Sequence, residues 1–259
     1  MGSHPQHEHL RSDRPETQYI WGRHSVLEAL RSGRRPIHKL YVAREAQDPQ
    51  MQTMIALSRA NGALVQRVER SALDRLTNRG KHQGVVAVVA AQAFFDEEAL
   101  FDELTDNSIL VVLDQVQDPH NLGAIIRTAH CAGVDAVIIT KHRSSGLTDV
   151  VAKTAAGALE YTRVVRVTNL ATFLERLKQA GFQLIGVCPE GQVSYTSASW
   201  DGRLAIIFGS EGKGLRRLTK ESCHQLVCIP MRGKIDSLNV SVAVGVVLFE
   251  AIRRRNRTV

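Results

Sequence analysis

The sequence predicts a two-part α/β protein, with a small front module followed by a larger module built on a parallel sheet. Three observations carry that expectation. Short β-branched runs alternate with stretches of helical periodicity along most of the 259 residues. The length is generous for one ordinary domain and comfortable for two. Charge is divided unevenly: residues 1–95 hold 14 Lys and Arg against 8 Asp and Glu, whereas residues 96–259 hold 19 against 18, within a net +7. A basic module beside a nearly neutral one points to a polyanionic partner for the first.

Residues 1–18 are polar and read as a disordered leader. His4, His7 and His9 there are taken as solvated rather than as metal ligands. The front module, 19–93, begins with a short strand or turn and then a helix carrying Val26, Leu27 and Leu30. Strands follow at 37–43 and 64–68, separated by a helix at 49–60. A short helix at 71–76 leads to a buried strand at 84–91, where Val85, Val86, Val88 and Val89 favour strand over helix. Its basic residues gather in turns: Arg31, Arg34 and Arg35, then Arg79, Lys81 and His82. The acidic stretch 96–106 reads as a linker helix, placing a junction at 94–107. From 108 to 259 strands at 109–113, 136–140, 164–167, 183–187, 204–208 and 225–229 alternate with helices at 122–132, 150–156 and 170–179. A long apolar helix, 239–255, closes the chain. Such alternation means a parallel sheet covered on both faces.

Composition excludes several classes. The hydrophobic fraction of 44% and charged fraction of 23% are those of a globular protein with a real core. No apolar stretch is long and uninterrupted enough for a membrane span. Cys131, Cys188, Cys223 and Cys228 lack zinc-knuckle spacing, so no metal site is expected, and they read as reduced thiols of a cytoplasmic protein. Cys223 beside His224 is not by itself a nucleophile pair.

In open α/β sheets ligands bind beyond the carboxyl ends of the strands, and three loops there carry unusual residues. The first runs from Asp114 to Gly123 and into a helix with Arg127, where Asn121 is placed to cap the helix. Arg127, flanked by Ile125, Ile126 and Ala129 near the helix start, opposes the macrodipole and suits a phosphate or carboxylate. The second, Phe208-Gly209-Ser210-Glu211-Gly212-Lys213-Gly214-Leu215, lets backbone approach a ligand closely. It fits neither the P-loop nor the dinucleotide fingerprint. The third, from Ile229 to Ser241, puts Ser237, Asn239 and Ser241 at the mouth of an apolar helix, where polar groups need partners.

Together and in this order, the three loops resemble the signature motifs of the SpoU/TrmH family of the SPOUT superfamily, nearest to its 23S rRNA guanosine 2′-O-methyltransferase branch. Gly22–Leu30 and His82–Ala87 resemble that family's N-terminal domain. The resemblance implies an L30e-like RNA-binding front domain and a catalytic rear domain with a C-terminal trefoil knot. It also implies a homodimer packed through the catalytic domain, and S-adenosyl-L-methionine (SAM) as cofactor. Gly209, Gly212, Ile229, Met231 and Leu238 are expected to line the SAM pocket. Arg127, Glu211, Asn121, Ser237 and Asn239 are expected to form the catalytic set, with Arg127 central. A guanidinium keeps its proton, so Arg127 is expected to hold a phosphate and favour the oxyanion, with Glu211 the easier proton acceptor. Lys213, Arg216, Arg217, Arg232 and Lys234 lie near the catalytic loops as candidate RNA contacts. The expected reaction is methyl transfer to a ribose 2′-hydroxyl of RNA, with a guanosine of 23S rRNA as the expected target. The alternatives are tRNA, another rRNA site, or a non-catalytic RNA-binding or ribosome-assembly protein.

Overall fold

The computed structural model describes residues 17–255. The expected leader therefore lies outside the described residues, except that Thr17 and Gln18 already belong to the first strand, paired with Ala90 and Val89.

The front domain runs β1 (Thr17–Trp21), α1 (Arg23–Ser32), β2 (Ile37–Ala43), α2 (Pro49–Ala60), β3 (Leu64–Val68), α3 (Arg70–Leu76) and β4 (Val85–Ala90). Its sheet has the order β1-β4-β2-β3, with β4 antiparallel to both neighbours and β2 parallel to β3. The valine run of β4 sits between two strands, as an apolar run buried on both faces should. Asp48 caps α2 through Met51 N–H, and Pro49 opens the helix where no N–H is needed.

The rear domain runs α4 (Glu97–Glu103), β5 (Ile109–Asp114), α5 (Pro119–Cys131), β6 (Ala136–Thr140), α6 (Asp149–Thr154), β7 (Arg163–Val167), α7 (Leu170–Gln179), β8 (Gln183–Val187), β9 (Val193–Ser194), β10 (Leu204–Gly209), α8 (Arg217–Ser222), β11 (Gln225–Cys228) and α9 (Val240–Arg255). All seven strands are parallel, in the order β7-β6-β5-β10-β8-β11-β9. β5 and β10 are buried at every position and pair from Ile109↔Leu204 to Asp114↔Gly209. Their carboxyl ends thus lie side by side, so the first and second loops leave the sheet together. The junction helix α4 packs on this domain: Phe101 meets Phe173 edge-on at 5.8 Å, and Phe95 N–H bonds Val164 C=O at 2.8 Å beside β7.

The two domains share a buried polar seam. Arg35 and Glu160 are 7% and 4% exposed and form an ion pair, with Arg35 Nε donating to Glu160 Oε2 at 3.0 Å. Arg35 Nη1 also donates to Gln18 Oε1 at 3.0 Å and Ala90 C=O at 3.1 Å. Gln18 Nε2 donates to Leu147 C=O, and Tyr161 OH to Glu28 Oε2. This corrects the expectation that Arg35 and His82 help present a basic surface. Arg35 is spent on Glu160, and His82 is buried against Asp74 at 3.1 Å. Arg34, Arg79 and Lys81 remain exposed.

Candidate active site

The carboxyl ends of β5 and β10 position everything that follows. Asp114 ends β5 with a buried carboxylate. It accepts from Arg216 Nε at 2.7 Å, Arg216 N–H at 3.3 Å and Thr219 Oγ1 at 2.7 Å. Those bonds clamp the far end of the second loop to the sheet. In sequence Asp114 stands out only as the start of a loop; a carboxylate closing an otherwise wholly apolar strand is the signal of its clamping role.

The second loop turns back on itself between Ser210 and Gly214. A Cβ on Gly209 would stand 2.0–2.3 Å from the backbone of Gly214 and Leu215, so only glycine fits there. Gly212 has φ 74°, a left-handed conformation that glycine takes without strain. The turn projects Glu211 toward α5. There Asn121 Nδ2 donates to Glu211 Oε1, Asn239 Nδ2 donates to the same oxygen at 3.0 Å, and Asn239 Nδ2 also reaches Asn121 Oδ1 at 3.0 Å. Asn239 Oδ1 accepts from Ser241 N–H at 2.9 Å, capping the start of α9. Three side chains from the three loops therefore meet in one network.

Two sequence expectations fail locally. Asn121 is not the cap of α5: the helix begins at Pro119, and Asp118 caps it by accepting from His120 N–H at 2.9 Å. Asn121 lies inside the first turn, nearly buried, free to hold Glu211. The earlier start also moves Arg127 into the third turn, so the macrodipole argument for it lapses. Arg127 is exposed, and no partner holds it among the described residues. It does not line the cavity below.

Beside Glu211 opens a cavity of about 430 Å³, within the range that encloses small-molecule ligands. Gly209, Gly212, Ile229, Met231 and Leu238 all line it, as do Glu211, Ser237 and Asn239. β11 ends at Cys228, one residue earlier than expected, so Ile229 belongs to the wall of the cavity. The walls are largely loop backbone and aliphatic side chains, which suits an amphipathic ligand with an apolar ring and polar ends. Cys188 also lines it, but burial, followed by a hydrogen bond with Glu190, pushes its thiol up. Burial raises neighbouring Cys223 to about 12. Neither thiol is a nucleophile in this state. Among the described residues no His, Cys, Asp and Glu cluster is placed to hold a metal.

Comparison with known proteins matches this layout segment by segment. Residues 108–249 match the SpoU rRNA Methylase family model. The chain belongs to that family. The front domain of this SpoU methylase, residues 19–95, matches the model described as RNA 2′-O ribose methyltransferase substrate binding. The 23S rRNA (guanosine-2′-O-)-methyltransferase RlmB of Pseudomonas syringae pv. tomato is 45% identical over 93% of this chain and 97% of its own length. The enzyme of the same name from Escherichia coli is 38% identical over 93% and 100%. The AdoMet-bound rRNA methyltransferase of Sinorhizobium meliloti superposes with TM-score 0.78 at 29% identity, covering 92% of this chain and 87% of that one. This SpoU methylase is accordingly a SAM-dependent RNA 2′-O-ribose methyltransferase.

Proposed function

We propose that this SpoU methylase modifies the 2′-hydroxyl of a guanosine in 23S rRNA, with its methyl donor in the cavity behind Glu211. The observation that carries the site is the meeting of Asn121, Glu211 and Asn239 at the mouth of that cavity. The RlmB relatives, matched over nearly their whole lengths, favour 23S rRNA as substrate and a cytoplasmic location. Residues 19–93, L30e-like, are the RNA-binding unit, 94–107 the junction and 108–259 the catalytic unit.

SAM bound in this cavity supplies an electrophilic sulfonium methyl. Gly209 and Gly212 admit it by offering backbone without side chains, and Ile229, Met231 and Leu238 cover its apolar parts. The two amides fix Glu211 so that its free oxygen faces the reacting hydroxyl and accepts its proton. Ser237, exposed on the cavity rim, is a donor for a polar end of the cofactor. Arg127 holds an RNA phosphate and favours the developing oxyanion. Its exposure and lack of a partner support a role completed by substrate or by a second subunit.

The second subunit follows from exposed apolar residues. Ile235 is 77% exposed, Phe249 52%, Val242 50% and Leu238 41%, all on α9 or the loop before it. Such a patch beside an active site is what a homodimer interface covers. The proposed trefoil knot would involve the same segment, between β11 and α9, the helix that packs against α5.

The test is transfer of labelled methyl from SAM to protein-free 23S rRNA, followed by mapping of alkali-resistant 2′-O-methyl positions. A single labelled guanosine supports the proposal. Label on tRNA alone, or on a different rRNA, overturns the substrate assignment.

A further inference from the structure

Glu211 and Ser210, which line the first cavity, also line a second one, of about 440 Å³. Gln115, Gln117, Arg143 and Lys213 face it. Two of these residues are held in left-handed backbone without being glycine: Gln115 at φ 68° and Arg143 at φ 56°. That conformation costs free energy, and it persists only where surrounding structure enforces it. The enforcement is visible. Ser145 N–H bonds Val116 C=O at 3.1 Å, joining the two loops, and Thr140 Oγ1 bonds His142 C=O at 2.9 Å and Ser144 Oγ at 2.7 Å. Two strained residues thus face one polar cavity whose inner wall carries the catalytic carboxylate.

The charges there are unspent. Arg143 and Lys213 are exposed and have no ion-pair partner among the described residues. The nearby Arg216 and Arg217 are engaged by Asp114 and Glu221. Asp118, the one carboxylate on the outer wall, is occupied in capping α5 and bonding His120 Nδ1 at 3.2 Å. Two free cations and the Glu211 carboxylate line this one cavity, a set that suits the phosphate and the ribose of a ribonucleotide. Gln115 reaches into an adjoining cavity of about 520 Å³ that also holds His142 and Arg217, so the track continues beyond one nucleotide.

We infer that this second cavity is the subsite for the target nucleotide, and that Arg143 and Lys213 clamp its backbone phosphate so that the 2′-hydroxyl meets Glu211. The inference rests on the reading of Glu211 as part of the active site. Arg143 is here a substrate-binding residue, distinct from Arg127 on α5.

The test uses the full chain with protein-free 23S rRNA. Arg143→Gly removes the guanidinium and relieves the left-handed strain; Arg143→Lys keeps a charge. For Arg143→Gly the RNA Kd rises about tenfold, as a lost charge-assisted contact does, and the slope of log K against log salt shrinks by about one unit. SAM affinity by calorimetry is unchanged, and Tm equals or exceeds that of the wild type. Arg143→Lys keeps most of the affinity. Equal RNA affinity in all three proteins overturns the subsite while leaving the active-site reading intact. An Arg143→Gly loss accompanied by a fall in Tm overturns it too, because the loop and not the guanidinium would then be responsible. Wild-type protein that binds SAM yet methylates no RNA overturns both readings together.

Discussion

Asn239, in the loop before α9, donates its amide to Glu211, in the loop after β10, at 3.0 Å. The pair spans the cavity mouth and is braced by Asn121 from α5. Exchanging Glu211 for Gln removes the proposed proton acceptor while keeping both neighbours in reach. Single-turnover methyl transfer is expected to slow by about 100-fold or more, with SAM affinity little changed. Asn239→Asp sets a second carboxylate against the first, and like charges at that range favour a shared proton. Its pH–rate profile is expected to move to higher pH, and an unmoved profile would remove Glu211 from proton transfer.

Gly209→Ala tests the close backbone approach. The added methyl would meet Gly214 at 2.0 Å, and backbone on both sides cannot yield cheaply. A destabilisation of about 1–3 kcal/mol is expected, as for other overpacked sites, together with loss of SAM binding in calorimetry. Retained binding would show that the turn reshapes without cost to the pocket.

Breaking the domain seam has a sharper signature. Arg35→Met leaves the Glu160 carboxylate buried without its partner, which costs about 3–5 kcal/mol. The double variant Arg35→Met/Glu160→Met removes both charges and is expected to recover much of that loss. Urea unfolding of the two proteins decides the point; equal destabilisation would mean the ion pair itself is not the issue.

The apolar face of α9 gives a solution test. Val242→Asp and Phe249→Asp are expected to convert a dimer into monomers in sedimentation velocity and to lower activity. A wild-type monomer at working concentration would refute the proposed homodimer.

A source of acid sensitivity lies on the same helix. Hydrogen bonds from Arg253, then Arg254, pull the Glu250 carboxyl from 4.5 to about 2. A carboxyl depressed by folding contributes stability that is fully present above about pH 4.5 and is lost as pH falls toward about 2. Glu250→Gln is expected to flatten that part of the stability–pH curve, measured by thermal unfolding at stepped pH.

Most of the scaffold was readable because burial on both faces writes itself as runs of Val, Ile and Leu, as in β4, β5 and β10. The two-residue β9 and the short, polar α8 left no such signature and went unseen. The cap of α5 was misplaced because Asp118 and Asn121 are both good capping residues. Only the fold shows that Asn121 is needed by Glu211. The cavity-lining set was legible as motifs. The left-handed conformations of Gln115 and Arg143 were not, because neither residue type advertises a positive φ. The same holds for Arg35: a basic turn residue and a buried counter-charge look alike until Glu160, 125 positions away, is brought beside it.

That seam has a consequence for how a target is chosen. With Arg35 and Glu160 paired in the buried seam and α4 laid along β7, the front domain that carries the exposed Arg79 and Lys81 is fastened to the domain that carries Glu211. On the proposed function the protein would work as a caliper: with one jaw seated on folded RNA, the other would fall on a nucleotide at a set distance, and the spacing of the fold would select the methylated ribose.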